Sequence, residues 1–113
     1  MQPCPFCRIA NGEIQANVLF TDDDVVAFHD IAPKAPVHLL VIPRRHIASL
    51  SEAAREDASL LGKLLLAAAE AARRTGIADG FRVVTNTGAR SGQSVLHLHL
   101  HVLGGRHLAW PPG

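Results

Sequence analysis

Three histidines alternate with leucines near the end of the sequence, in the run His97-Leu98-His99-Leu100-His101. Successive side chains of a β-strand point to opposite faces, so a strand here would place the three imidazoles on one face, about 6.6 Å from one to the next. An imidazole is a nucleophile and a proton carrier near neutral pH, and it also binds metals. The residues alone therefore leave catalysis and metal binding open, beside a merely solvated polar face.

Two cysteines near the N-terminus, Cys4 and Cys7, have the C-x-x-C spacing that lets two thiolates reach one zinc ion. A structural zinc site takes four ligands, so two more would have to come from elsewhere in the chain. We expect the thiols to be reduced, because residues 1–14 show no signal-peptide pattern and the expected compartment is then the cytoplasm. A zinc site, a pair of inert thiols and a redox pair remain as the three interpretations.

The composition indicates a single domain over residues 1–113. A hydrophobic content of 48% in 113 residues is enough for one core. The net charge of +1, from 11 basic and 10 acidic residues, gives no electrostatic reason to expect a nucleic acid or an anionic membrane as partner. The longest apolar runs, 37–42 and 64–69, are far shorter than the ~20 residues that span a bilayer. These features predict a small molecule or another protein as the partner.

The elements that must position these side chains are short and joined by tight turns. Turn residues and apolar alternation predict five strands, at residues 17–21, 25–30, 38–42, 81–86 and 95–103. A short helix over 5–11 is predicted to end at Gly12, and a long helix is predicted to be capped by Ser51 and ended by Gly76. Short connections favour hairpins, so the predicted fold class is α+β, with a largely antiparallel sheet and one principal helix.

The sequence closely resembles the histidine triad (HIT) family of nucleotide hydrolases and transferases, whose signature is His-φ-His-φ-His-φ-φ with φ apolar. Residues 97–103 carry that signature, and the resemblance continues through residues 28–31, 36–38, 41–46 and 92–95. The Gly-Gly-Arg and Trp-Pro-Pro-Gly segments of the tail resemble the nucleotide-binding (Hint) branch of the family. That branch implies a curved sheet that extends across a homodimer, with the tail, residues 104–113, contributing to the dimer and the active site.

The resemblance implies a hydrolase of purine (AMP-type) nucleoside 5′-phosphoramidates or acyl nucleotides that needs no cofactor for the chemistry. His99 is the implied nucleophile, which attacks the α-phosphorus to form a nucleotidyl-histidine, and His101 contacts the phosphate and handles protons. His38 is implied to orient the triad by hydrogen bonding. His97 and Ser94 complete the implied catalytic set. The alternatives are a dinucleoside polyphosphate hydrolase and a nucleotide-binding interaction protein with vestigial hydrolysis.

Further positions match the family's nucleotide contacts. Asp30, with Ile31 beside it, is implied to accept hydrogen bonds from the ribose hydroxyls. The implied phosphate contacts, besides His99 and His101, come from one strand end and one loop: Asn86, Gly92, Gln93, Ser94 and Val95. The candidates for an apolar slot around the base are Phe6, Ile9, Leu19, Phe28 and Leu40.

Certain bacterial-type members of the family bind zinc through two cysteines, the histidine after the Ile-Pro-basic-basic run and the first triad histidine. The corresponding residues here are Cys4, Cys7, His46 and His97. The resemblance therefore favours a structural Zn²⁺ that pins the N-terminal helix to the catalytic strand. Gln15 stands where the Hint branch usually has proline, which leaves the preference for the leaving group open.

Overall fold

Five strands form one antiparallel sheet in the computed structural model, which describes residues 4–113. The order across the sheet is β1-β2-β3-β5-β4, with β1 Val18–Thr21, β2 Val25–His29, β3 Val37–Pro43, β4 Phe81–Val84 and β5 Leu100–Gly104. The helices are α1 Pro5–Ala10 and α2 Ala58–Arg74, and 3₁₀ turns lie at Leu50–Glu52, Arg55–Asp57 and Ala89–Ser91. The predicted α+β class with an antiparallel sheet and one long helix is confirmed.

The sheet has a packed core on each face, because alternate residues of a strand point to opposite sides. Val26 and Phe28 of β2 belong to the cluster beside α1. In β5, Leu100 and Val102 belong to the larger cluster beneath α2. The residue between them, His101, therefore points to the α1 side of the sheet, where a histidine is available for chemistry.

The long helix packs on the sheet through a stripe of Leu and Ala side chains at helical spacing, namely Leu64, Ala67, Ala68, Ala71 and Ala72. Small residues in this stripe let the helix approach the strands closely. The helix ends at Arg74, and Gly76 follows with a φ of +77°, a left-handed conformation that favours glycine. Neither helix of the described residues is both long enough and apolar enough to cross a membrane.

The long helix begins later than predicted. Ser51 lies in the first 3₁₀ turn and caps nothing, and α2 begins at Ala58. The carboxylate of Asp57 accepts a hydrogen bond from the Ala54 N–H at 2.8 Å and also pairs with Arg45. Because this carboxylate satisfies the turn that precedes the helix, residues 50–57 form two tight turns before α2 starts.

The histidine strand is shorter than predicted, because β5 begins only at Leu100. The N–H of Leu98 donates to the Ile47 carbonyl at 2.6 Å, and the Thr85 hydroxyl donates to the His99 carbonyl at 2.9 Å. Before Leu100, the chain is therefore hydrogen-bonded to a loop and to a side chain, and it does not pair with a neighbouring strand. The three imidazoles consequently do not form one row on one face but contribute to two different clusters.

Candidate active site

A cleft of about 490 Å³ lies on the α1 side of the sheet. Part of its lining is apolar and comes from α1, β2 and β3, while the rest carries imidazoles and a carboxylate. A mainly apolar slot with a few convergent polar groups is the usual form of a small-molecule site. Ten of the predicted site residues line it: Phe6, Ile9, Phe28, Asp30, Ile31, Leu40, Ser94, Val95, His99 and His101.

The cleft also has lining residues that the sequence did not predict as contacts, among them His29, Ile14, Gln15 and Ala16. His29 directly precedes Asp30, and this adjacency to a predicted contact is the sequence signal that could have identified His29. Residues 14–16 lie in a loop with no periodic pattern, and no local signal marks them. Gln15, noted from the sequence only as a departure from proline, therefore borders the ligand cleft.

Gln93 is buried and does not line the cleft. Its side-chain amide donates to the carbonyls of Ala48 and Val95 at 2.7 and 3.0 Å, and its oxygen accepts from the Gly88 N–H at 2.8 Å. These bonds brace the loop that carries Ser94. The structure thus gives Gln93 a supporting place, and its direct contact with phosphate stays a prediction.

Three other predicted contacts lie outside the cleft lining: Leu19, Asn86 and Gly92. Leu19 packs against the core beneath α2 and so is no wall of the base slot. Gly92 has a φ of +98° directly after the 3₁₀ turn Ala89–Ser91, a backbone conformation that requires glycine. Its place in the loop is accordingly explained by the turn.

His99 is 6% exposed and lines the cleft. Its Nδ1 lies 2.6 Å from the carbonyl oxygen of His97, which can only accept a hydrogen bond. Nδ1 therefore carries the proton of the neutral ring, and the lone pair is on Nε2. Phe6 packs edge-on against the imidazole, with ring centroids 5.1 Å apart. The ring is held in place, and the nitrogen with the lone pair is the one that the backbone leaves free.

His101 lies beside His99, with ring centroids 5.0 Å apart. Its Nδ1 is 2.9 Å from Nε2 of His38, so the structure brings these two predicted partners into a hydrogen bond. The same His38 nitrogen lies 3.4 Å from a carboxylate oxygen of Asp30. On its other side, His38 Nδ1 accepts the Lys34 N–H at 2.9 Å. A chain of hydrogen bonds therefore runs from the Lys34 N–H through His38 to His101.

Burial sets the charge state of this pair. It lowers the pKa of His101 to about 4, and the neighbouring imidazoles of His99 and His38 add to the effect. Burial also lowers the pKa of His38, against the opposing influence of the Asp30 carboxylate. Both rings are therefore neutral at neutral pH, and each offers one donor and one acceptor nitrogen.

A second cluster joins α1 to the segment before β5. The sulfurs of Cys4 and Cys7 and the Nδ1 atoms of His46 and His97 all lie within 4.8 Å of one another. Sulfur and nitrogen are 3.3 Å apart for Cys4–His97, 3.4 Å for Cys7–His46 and 3.6 Å for Cys7–His97, and the two nitrogens are 3.2 Å apart. A tetrahedral zinc ion with Zn–S of ~2.3 Å and Zn–N of ~2.0–2.1 Å sets S···N pairs about 3.5 Å and N···N pairs about 3.4 Å apart. The donor atoms fit such an ion.

The chemistry of the donors fits as well. Nε2 of the fully buried His97 donates to the Pro43 carbonyl at 2.8 Å, which leaves the lone pair on Nδ1, the nitrogen that faces the cysteines. Burial and the adjacent Cys4 raise the pKa of the Cys7 thiol, and a bound cation would offset this by stabilising the thiolate. His97, predicted both beside the nucleophile and as a metal ligand, belongs to the cysteine cluster and does not line the cleft. Its carbonyl oxygen, however, orients His99.

Comparison with known proteins gives concordant results. The HIT domain matches residues 11–108. A HIT-like protein of Synechococcus elongatus is 53% identical over 108 residues, which are 96% of this chain and 95% of the relative. The crystal structure of a HIT family hydrolase from Legionella pneumophila has a TM-score of 0.96 at 47% identity and covers 98% of this chain and 100% of its own. A histidine triad nucleotide-binding protein from Candida albicans has a TM-score of 0.82 at 28% identity, covering 96% and 83%.

The antiparallel sheet, the long helix on one face and the imidazole pair in a cleft on the other face define a small α+β protein with a histidine-lined cleft. The domain match and the identity of the relatives specify the family: the chain belongs to the HIT family. The resemblance inferred from the triad and the dispersed motifs is confirmed at that level.

Proposed function

We propose that the protein is a hydrolase of the histidine triad nucleotide-binding (Hint) branch that cleaves purine nucleoside 5′-phosphoramidates or acyl nucleotides. The observation that carries this proposal is the orientation of His99, whose Nδ1 is bound to the His97 carbonyl at 2.6 Å so that Nε2 is the free nucleophile. The names of the Legionella and Candida relatives, a hydrolase and a nucleotide-binding protein, support it.

In the first step, Nε2 of His99 attacks the α-phosphorus and the bond from phosphorus to the leaving nitrogen or acyl oxygen breaks. A leaving amine takes a proton from the solvent, because His101 is neutral and its one N–H, on a ring 5.0 Å from that of His99, serves as a hydrogen-bond donor. Charge on the non-bridging oxygens is stabilised by the N–H of His101 and by the hydroxyl of Ser94, which both line the cleft. The product is a nucleoside monophosphate joined to His99 through a phosphorus–nitrogen bond.

In the second step, water attacks the same phosphorus and the bond to His99 breaks. The imidazole of His99 recovers its lone pair, and the proton of the attacking water passes to the solvent, which supplied one to the leaving amine in the first step. The nucleoside monophosphate then leaves. Because both steps use the same neutral imidazole, the enzyme returns to its starting protonation state after each turnover.

The remainder of the cleft suits a nucleoside. We propose that the Asp30 carboxylate, held by the Ala32 N–H at 2.8 Å, accepts hydrogen bonds from the ribose hydroxyls. The aromatic rings of Phe6 and Phe28 pack edge-to-face, 5.6 Å between centroids, at the part of the cleft proposed for the base. Ile9 and Leu40 extend this apolar lining, which favours a purine over a smaller base because more apolar area is buried.

We propose further that Cys4, Cys7, His46 and His97 hold a structural zinc ion. The tetrahedral spacing of the donor atoms supports this proposal. Such an ion stabilises the fold by binding to the native state and takes no part in the reaction. It would fix α1, which contributes to the cleft wall, and through His97 the carbonyl that orients His99.

We also propose a homodimer to which the tail contributes. Strand β4 is an edge of the sheet, and an exposed edge favours pairing with a second copy. The Trp110 side chain is 80% exposed, and the Arg82 guanidinium stacks on it, 5.7 Å from the ring centroid. Arg82 also donates to the Ala109 carbonyl at 2.8 Å, so the tail is tied to β4. Exposed Leu65 and Leu66 on α2 are further apolar surface that a partner would cover.

A substrate panel tests the proposed reaction. Adenosine 5′-phosphoramidates and acyl adenylates are expected to turn over faster than diadenosine polyphosphates, and guanosine analogues to follow the adenosine compounds. A preference for dinucleoside polyphosphates would contradict the proposed substrate class. Tight nucleotide binding without turnover of any substrate would contradict hydrolysis and leave an interaction protein.

A further inference from the structure

The hydrogen bonds that link His101 to His38 end at a main-chain N–H, a group that can donate a hydrogen bond but cannot accept one. The main-chain N–H of Lys34 lies 2.9 Å from Nδ1 of His38. A backbone N–H can only donate, so Nδ1 of His38 must be the unprotonated, accepting nitrogen. Since His38 is neutral, its proton is on Nε2.

This assignment passes to the next ring. Nε2 of His38 lies 2.9 Å from Nδ1 of His101 and therefore donates to it, which places the His101 proton on Nε2. A carboxylate oxygen of Asp30, 3.4 Å from the same His38 nitrogen, is a second acceptor and independently favours a proton there. Nε2 of His101 has no hydrogen-bond partner among residues 4–113, and the ring lines the cleft.

We propose that the main-chain N–H of Lys34 is a positioning group that sets the tautomers of His38 and His101 and thereby presents an N–H donor to the substrate. The opposite tautomer of His101 would present a lone pair to an anionic phosphate, which repels it, and could not donate a hydrogen bond to the phosphate oxygens. The catalytic consequence rests on the proposed function, whereas the tautomers themselves do not.

The loop that carries this N–H is held in place on both sides. The Lys34 ammonium donates to the Ala32 carbonyl at 2.8 Å, and Arg106 donates to the Lys34 carbonyl at 3.3 Å. Gly105 has a φ of +91°, and a Cβ there would lie 2.9 Å from the Pro36 side chain, so the strand end packs tightly on the loop. The residues that begin the C-terminal tail thus support the peptide that orients His38.

The test removes the N–H and leaves the rest of residue 34 as unchanged as the chemistry allows. Lys34→Pro deletes the donor, and the α-hydroxy analogue of lysine, which replaces the amide by an ester, deletes it without a proline ring. Lys34→Ala is the matched control for the proline variant, because both lose the exposed side chain with its hydrogen bond to the Ala32 carbonyl and only Lys34→Ala keeps the N–H. Long-range proton–nitrogen spectra of ¹⁵N-histidine-labelled protein at pH 8, where both rings are neutral, report each tautomer directly.

The wild type and Lys34→Ala are expected to show His38 and His101 entirely as Nε2–H tautomers. The ester and proline variants are expected to show mixed tautomers and a kcat lower by on the order of tenfold, with KM little changed. Nδ1–H tautomers in the wild type, or unaltered tautomers in the ester variant, would overturn the proposal. If the wild type turned over no substrate, the spectra would still decide the tautomers, while the proposed function alone would fail.

Discussion

Loss of the proposed zinc is expected to destabilise the fold more than it impairs the chemistry. The sharpest perturbation is Cys7→Ser, because this sulfur lies 3.4 Å from Nδ1 of His46 and 3.6 Å from Nδ1 of His97 and so contacts two other ligands. A serine oxygen is a poor zinc ligand here and leaves the tetrahedron incomplete. None of the four donor atoms is Nε2 of His99, so the proposed nucleophile itself stays intact.

The expected magnitude follows from linkage between binding and folding. A ligand present at about a thousand times its dissociation constant stabilises the native state by ~4 kcal/mol. For a chain of 113 residues, an unfolding entropy of ~2.1 cal/mol/K per residue turns this into a change of about 17 °C in Tm. We expect the short helix α1 to depend on the proposed ion, because it has six residues and buries Phe6 and Ala10.

The assay combines metal analysis, thermal unfolding and turnover. Protein purified without chelators should contain about one zinc per chain, and Cys7→Ser should lose it together with the expected part of Tm. Turnover measured well below the lowered Tm should be largely retained. Arg8→Ala, an exposed change on the same helix, is the control and should alter neither zinc content nor Tm. No stoichiometric zinc, or an unchanged Tm in Cys7→Ser, would refute the reasoning.

Three further predictions concern the buried imidazoles, the supporting loop and the tail. Because the folded pKa of His101 is about 4 against an ordinary 6.5, the free energy of unfolding should be constant above pH 6.5 and fall by up to about 3 kcal/mol as the pH approaches 4. Urea titrations at pH 8 and pH 5 measure this fall in the wild type and in His101→Gln, where the free energy of unfolding should fall less. An identical fall in the two proteins would contradict the prediction. Gln93→Ala removes three hydrogen bonds to main-chain groups, so it should lower the free energy of unfolding by about 3 kcal/mol and reduce kcat. An unchanged urea midpoint would show that these hydrogen bonds do not stabilise the loop. Light scattering should show a dimer, and deletion of residues 110–113 should change selectivity among leaving groups more than attack by His99; a monomer, or an unaltered substrate profile, would exclude the proposed role of the tail.

Local sequence patterns predicted the elements that are determined by neighbouring residues in the chain. Alternation and turn residues indicated the five strands, and Gly76 marked the end of α2. The resemblance to the HIT family supplied what local patterns could not, namely that His46 and His97 meet the C-x-x-C pair. The start of β5 was missed because it depends on Ile47 and Thr85, which lie far from the triad in the sequence.

The parts of the site that the sequence could not predict are mostly main-chain groups. His99 is oriented by the His97 carbonyl, His97 by the Pro43 carbonyl, and His38 by the Lys34 N–H. Every residue type except proline carries both groups, so no side-chain pattern marks the positions where they act. The triad could be recognised from its histidines, but which nitrogen of each neutral ring carries the proton follows only from the folded backbone.

The central claim, covalent attack by His99, is tested most directly by trapping the intermediate. Wild-type enzyme quenched in alkaline denaturant during turnover of an adenosine phosphoramidate should carry an adenylyl group on His99, located by mass spectrometry of the peptide that contains residues 97–101. His99→Gly should lack the adduct and lose at least about a thousandfold in kcat, and added imidazole should restore part of the turnover. An adduct on His97 or His101, or near wild-type turnover by His99→Gly with no imidazole, would contradict the account.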